Sequence, residues 1–280
     1  MRSTSAGQRA TVKAVWNALR YSWRLFRLTR TSAERVGLVR FGLRYIAAQL
    51  GGGDEHADTC VSLHGTTYTI GLKNMELLGF VETYGDGVYD KSADFIAREG
   101  WTVFDVGANV GMFAVQQARR GAHVYAFEPN PDCRRRLIRT LTENGLTNAV
   151  CVLAYALGDS AGIGSMQVPG GGRTMSGRVV LGAGDRAGAS TVAISSLDII
   201  MPSLGLDHVD LLKIDTEGAE MDVLHGAVHI LGTVDRIIVE YHSSRLRDEV
   251  ATLLRLQGFA LTLHLPTAPE VGIGMLYATR

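Results

Sequence analysis

From residue 101 to residue 257, short apolar runs alternate with amphipathic stretches of helical length, and nothing else in the chain constrains its fold as strongly. Runs 101–106, 124–127, 150–157, 209–214 and 236–240 read as strands. Stretches 112–120, 132–143, 220–231 and 245–257 read as helices, closed by the breakers Gly121, Asn144-Gly145, Gly232 and Gly258. Strands regularly separated by helices imply a doubly wound, mostly parallel α/β sheet of the Rossmann-like kind. Two last runs, 261–264 and 275–278, have little room for a helix between them and predict an antiparallel pair that brings the sheet to seven strands. Upstream, 66–70 reads as a strand and 84–89 as a tight turn, giving a small cap or hairpin region over 56–98 ahead of the core at 99–280. Residues 1–55 form a basic, helical extension. Residues 160–190 interrupt the alternation with many glycines and are expected to form a long loop, either a lid or simply mobile.

In such a sheet, ligands bind beyond the carboxyl ends of the strands where the strand order reverses. The first strand ends in Asp105-x-Gly107-x-Asn109-x-Gly111, and the second ends at Glu128. Glycines there allow close approach to a ligand and a sharp turn into a helix whose free N–H groups suit a carboxylate. An acid at the position of Glu128 can accept from both hydroxyls of an adenosine ribose. A nicotinamide-binding loop has G-x-G-x-x-G, shaped for pyrophosphate. Here the glycines are four apart, and Asp105 would repel pyrophosphate while accepting from an amine. S-adenosylmethionine carries an amine, a carboxylate and a ribose but no phosphate, so it is the expected cofactor, and a nicotinamide oxidoreductase is disfavoured.

Five ordered segments, FDVGANVGMF (104–113), AFEPNP (126–131), SSLDII (195–200), LLKIDTEGAEMDVLHGA (211–227) and IIVEYH (237–242), together resemble the FkbM family of methyltransferases over about 101–277. The resemblance implies a class I methyltransferase fold, S-adenosylmethionine bound by Asp105, Gly107, Asn109, Gly111 and Glu128, and methylation of hydroxyls on sugars, glycolipids or polyketides. The family often has a proline ahead of the fifth strand, where Val234-Asp235 stands here.

Methyl transfer is an in-line displacement that needs an aligned acceptor and somewhere for its proton to go. Lys213, Asp215 and Glu217 flank the end of the fourth strand, and Glu240 and His242 that of the fifth. His242, whose ordinary pKa lies nearest neutrality, and Asp215 are the expected catalytic residues. Asp215, Glu217, Glu240 and His242 could also suit magnesium or manganese, although no metal is required by their spacing. His225 and His229 have the spacing of a zinc pair but lack the glutamate of HExxH. N-methylation and a non-catalytic S-adenosylmethionine-binding module are the alternatives to O-methylation.

Net charge is formally zero, which gives no general pull toward nucleic acid. Residues 1–50 nevertheless hold ten basic residues against the single acid Glu34. Around Trp16, Arg20, Trp23, Arg24, Phe26 and Arg27 the pattern is amphipathic. Two readings stand: the stripe packs on the core, or it touches an anionic membrane and brings the enzyme to a lipid-linked rather than a small-molecule acceptor. Cys60, Cys133 and Cys151 show no CxxC spacing, and no apolar run could span a bilayer or serve as a signal peptide core, so a cytoplasmic protein is expected. Oligomeric state is not fixed by any of these features.

Overall fold

The computed structural model describes residues 16, 20–51, 57–72, 76–167, 178–181 and 190–280. Arg2, Arg9, Lys13, Leu19, the breaker at 52–54 and Gly170, Gly171, Gly172, Gly177, Gly182, Gly184 and Gly188 lie outside the described residues.

The main sheet is built from β3 (Thr102–Val106), β4 (His123–Phe127), β5 (Val150–Leu153), β10 (Leu211–Ile214), β11 (Arg236–Tyr241), β12 (Ala260–Ala268) and β13 (Ile273–Thr279). Its order is β12-β13-β11-β10-β3-β4-β5. β3, β4, β5, β10 and β11 run parallel, while β13 is antiparallel to both of its neighbours. This is the class I methyltransferase arrangement, with the antiparallel pair at the carboxyl end. β10 is buried along its whole length, as a parallel strand covered on both faces must be.

Helices flank the sheet. They include α3 (Met112–Ala118), α4 (Pro131–Glu143), α5 (Leu197–Ser203), α6 (Glu220–His225) and α7 (Ser244–Leu256), and α4 is opened by an Asn130 side chain that accepts from Asp132 N. The helix expected over 220–231 ends at His225. Gly226 follows because a Cβ there would lie 2.0 Å from the Gly158 carbonyl oxygen. The chain then turns so that the N–H groups of His229 and Ile230 donate to Asp198, and the His229 ring meets the same carboxylate.

Two expectations are corrected. The run 150–157 is not one strand. It breaks after Leu153, and β6 (Tyr155–Leu157) leaves the main sheet to pair with β9 (Ser190–Ser195). The stretch 160–190 is not simply a loop either: β7 (Gly162–Gln167) and β8 (Arg178–Leu181) join β6 and β9 in a four-stranded sheet ordered β6-β9-β7-β8. Glycine content hid this sheet, because β7 itself carries Gly162 and Gly164.

Ahead of the core, the helical stretch 20–26 and α1 (Ser32–Gly51) lead into the hairpin of β1 (Asp58–Leu63) and β2 (Thr66–Gly71). His64 and Gly65 turn the hairpin with positive φ at both positions, as a two-residue turn of this type requires. Leu25, Leu38 and Phe41 are buried in the same apolar cluster as Val103 and Phe113, so the described extension is anchored to the core. Only part of the expected stripe packs: Trp16 and Trp23 are 67% and 64% exposed, while Phe26 lies against the core cluster beside the buried Leu25. A short helix, α2 (Glu76–Phe80), then runs into a π-helical turn, Val81–Asp86, which ends near the site.

Candidate active site

The strand order reverses between β3 and β10, whose next neighbours in the sheet are β4 and β11 on opposite sides. The loops leaving these two strands meet at the crevice. Gly107 has φ +78°, and a Cβ there would lie 1.8 Å from the Asp215 carbonyl oxygen, so only glycine permits the loops to touch. Asn109 also has positive φ, at 52°. Its N–H donates to Glu128 Oε2 at 2.8 Å, while Glu128 Oε1 accepts from Asn130 N at 2.7 Å. Two backbone donors thus fix the Glu128 carboxylate at the end of β4. Burial nevertheless outweighs them and raises its pKa from 4.5 to about 7.

Two cavities open from this seam. The first is lined by Gly107, Asn109, Glu128, Tyr155, Leu157 and Asp215, among others, so the small sheet supplies one wall through β6. The second is lined by Glu82, Tyr89, Phe113, Lys213, Glu240 and His242, among others. Gly107, Asn109, Asp215 and Glu217 belong to both. The first cavity fits S-adenosylmethionine. It has a fixed carboxylate for ribose hydroxyls, and the buried Asn109 Oδ1, which has no partner among the described residues, can accept from an ammonium.

The second cavity is strongly acidic. Glu217 holds a positive φ of 57°. Burial and the nearby Asp215 raise its carboxyl to about 7, and the same two causes raise Glu82 to about 7 from its place on the π-helical turn. Burial and Asp215 also push Glu240 well above the ordinary range. His242 is the counterweight. Its Nδ1 meets Glu220 Oε1 at 3.0 Å, and its Nε2 lies 3.5 Å from Glu217 Oε2 and 4.0 Å from Asp215 Oδ1. Burial opposes charge on the ring, but the Glu220 hydrogen bond and the carboxylates of Asp215 and Glu240 prevail and raise it to about 9.

The structure therefore brings Gly107, Asn109, Glu128, Asp215 and His242 to the seam and leaves two expected ligands out of it. Asp105 is fully buried beneath the loop, in register with Lys213 on β10, whose Nζ it meets at 3.0 Å. Lys213 in turn donates to Gly107 O at 2.9 Å. Asp105 thus faces the Lys213 ammonium and steadies the loop through it. Gly111 turns the chain into α3 with φ +88°, and a Cβ there would strike Leu137 Cδ1 at 2.1 Å, so its role is packing. His242 is at the expected place, with the carboxylates around it favouring the charged form of its ring. Sequence reasoning missed Glu82, on a segment read only as a cap, and Glu220, read only as the start of a helix. The E-G-A-E spacing of Glu217 and Glu220 was the available signal.

The profile described as Methyltransferase FkbM domain matches residues 105–261, more than half of the chain and the whole of this seam. The chain belongs to the FkbM methyltransferase family. This FkbM domain is thus a methyltransferase domain, with S-adenosylmethionine as methyl donor. It is 32% identical over 160 residues to the hexuronic acid methyltransferase AglP of Haloferax volcanii, covering 56% of this chain and 63% of that protein. It is 30% identical over 191 residues to the methyltransferase sdnD of Sordaria araneosa, covering 57% and 74%. It is also 31% identical over 225 residues to the AMB antimetabolite synthetase AmbE of Pseudomonas aeruginosa, where 66% of this chain aligns with only 10% of that protein.

Proposed function

We propose that the protein O-methylates a hydroxyl of a sugar, glycolipid or polyketide-like natural product. The observation that carries this reading is Asp215, which stands in the wall common to both cavities. S-adenosylmethionine in the first cavity supplies an electrophilic methyl group on a sulfonium. The Gly107 and Asn109 loop orients that donor, and the apolar side chains of Tyr89 and Phe113 help exclude water from the second cavity. The S–CH₃ bond breaks as the O–CH₃ bond forms, and the hydroxyl proton passes to the Asp215 carboxylate. His242 stands beside it, its charged form favoured by the carboxylates gathered there. The Asp215 carboxylate beside the acceptor favours O- over N-methylation: it holds an amine as ammonium, which has no lone pair to attack with, whereas a neutral hydroxyl meets no such obstacle. Turnover of labelled methyl donor with a panel of glycosides and hydroxylated lipids, followed by mass spectrometry of the products, tests the reading. Methyl groups found on nitrogen, or no transfer to any hydroxyl, would overturn it.

The exposed Trp16 and Trp23, with the exposed Arg20 and Arg27 close by in sequence, support contact with an anionic membrane, and hence a lipid-linked acceptor. No described helix is long and apolar enough to cross a membrane.

A further inference from the structure

The geometry points to a divalent cation site in the second cavity, formed by Asp215, Glu240 and His242 Nε2, with Glu220 as the residue that aims the imidazole. The inference rests on the reading of that cavity as the acceptor site. One carboxylate oxygen each from Asp215 and Glu240 and a ring nitrogen of His242 lie within 4.8 Å of one another. Oxygen ligands at about 2.1 Å around a magnesium-like ion stand about 3.0 Å apart when adjacent and about 4.2 Å apart when opposite. Three ligands from two neighbouring strand ends therefore need only small rotations to close on an ion, and two carboxylates with one imidazole are the donor set that suits manganese or magnesium.

Two further observations raise this above a mere gathering of acids. First, His242 has its Nδ1 on Glu220, a carboxylate that is itself fully buried and accepts from Thr216 N and Gly218 N. A histidine that ligates a metal characteristically gives its other ring N–H to such a carboxylate, which fixes both tautomer and direction. Here that arrangement turns Nε2 toward Asp215 and Glu217. Second, Glu240 has no hydrogen-bond or ion-pair partner among the described residues, although it lines the cavity beside Asp215. The buried Lys213 pairs with Asp105 and Asp215 and donates to Gly107 O, but forms no ion pair with Glu240. A cation there would displace the proton from His242 Nε2, take the acceptor oxygen as a further ligand, and ease departure of its proton to the Asp215 oxygen left unligated.

The test uses chelator-stripped full-length protein titrated with Mn²⁺, with loss of the free-ion paramagnetic resonance signal as readout and S-adenosylmethionine binding measured by calorimetry on the same preparations. One Mn²⁺ per chain is expected, competed by Mg²⁺. Glu240→Gln and His242→Asn should each weaken it at least about tenfold, and Glu220→Gln by about 10–100-fold, with donor affinity kept and folding verified by thermal unfolding. Absence of Mn²⁺ uptake by protein that still binds the donor overturns the cation site and leaves the methyltransferase reading intact. Unchanged uptake in both the Glu240 and His242 variants also overturns it. Mn²⁺ uptake without donor binding would instead overturn the reading of the first cavity.

Discussion

Gly107 and Asp215 meet backbone to backbone, so closely that a single added carbon on Gly107 would lie 1.8 Å from the Asp215 carbonyl oxygen. Their contact joins the loop that holds the donor to the loop that carries the proposed proton acceptor. Gly107→Ala should therefore part the two loops. Positive φ alone is expected to cost about 1–3 kcal/mol, and the clash adds to it. Thermal unfolding should show the loss, and calorimetry should find donor binding abolished. A variant that binds S-adenosylmethionine normally would mean that the two loops do not act as one unit.

Lys213 and Asp105 form a buried pair beneath that loop. Lys213→Met should strand the Asp105 carboxylate and destabilise the protein by about 3–5 kcal/mol in urea unfolding. Adding Asp105→Leu should restore part of that stability, because the unpaired charge is then gone, while donor affinity stays low for want of the Lys213 bond to Gly107 O.

Glu128 makes donor binding depend on pH. Its folded-state pKa of about 7 exceeds the ordinary 4.5, so the folded protein holds a proton on it through that window that the unfolded chain has released. Its contribution to stability is fully present below the ordinary value and is lost as pH rises through the folded value. Ribose hydroxyls donate best to the ionised form, so donor affinity should climb about tenfold from about pH 6 to about pH 8 as Glu128 ionises. Calorimetry across that range reads the slope, which Glu128→Gln should flatten.

Asp215 and His242 should separate chemistry from binding. Asp215→Asn and His242→Ala are each expected to lower turnover by about 10²–10⁴-fold with donor affinity nearly unchanged. Comparing kcat with the donor dissociation constant checks this, and full turnover in both variants would remove the pair from the reaction.

The exposed tryptophans can be tested by liposome flotation. Full-length protein should float with anionic vesicles at low salt, and salt should release it. Trp16→Ala with Trp23→Ala should reduce flotation, since each exposed ring contributes at the interface. Protein that stays in the soluble fraction at low salt would rule out the contact.

Much of this architecture was legible in the residues. Parallel strands buried on both faces read as plain apolar runs, so β3, β4, β10 and β11 fell where expected, and Gly107 and Glu128 marked the crevice at their ends. Local pattern could not show what neighbouring strands do to each other. Asp105 looked like a ligand until the register set Lys213 beside it. His242 looked like a free ring until Glu220, twenty-two positions away, proved to hold it. The small sheet was hidden for a related reason: its strands depend on pairing across long intervals, and glycines within them weaken the periodic signal.

Among the described residues the two cavities share Gly107, Asn109, Asp215 and Glu217, while the second alone is lined by Leu78 of α2 and by Thr267, Ala268 and Ile273 of the antiparallel strand pair. Substrate range can thus drift by replacement of these peripheral residues without retuning the donor machinery. A lineage built on this scaffold is free to acquire new acceptors one wall at a time.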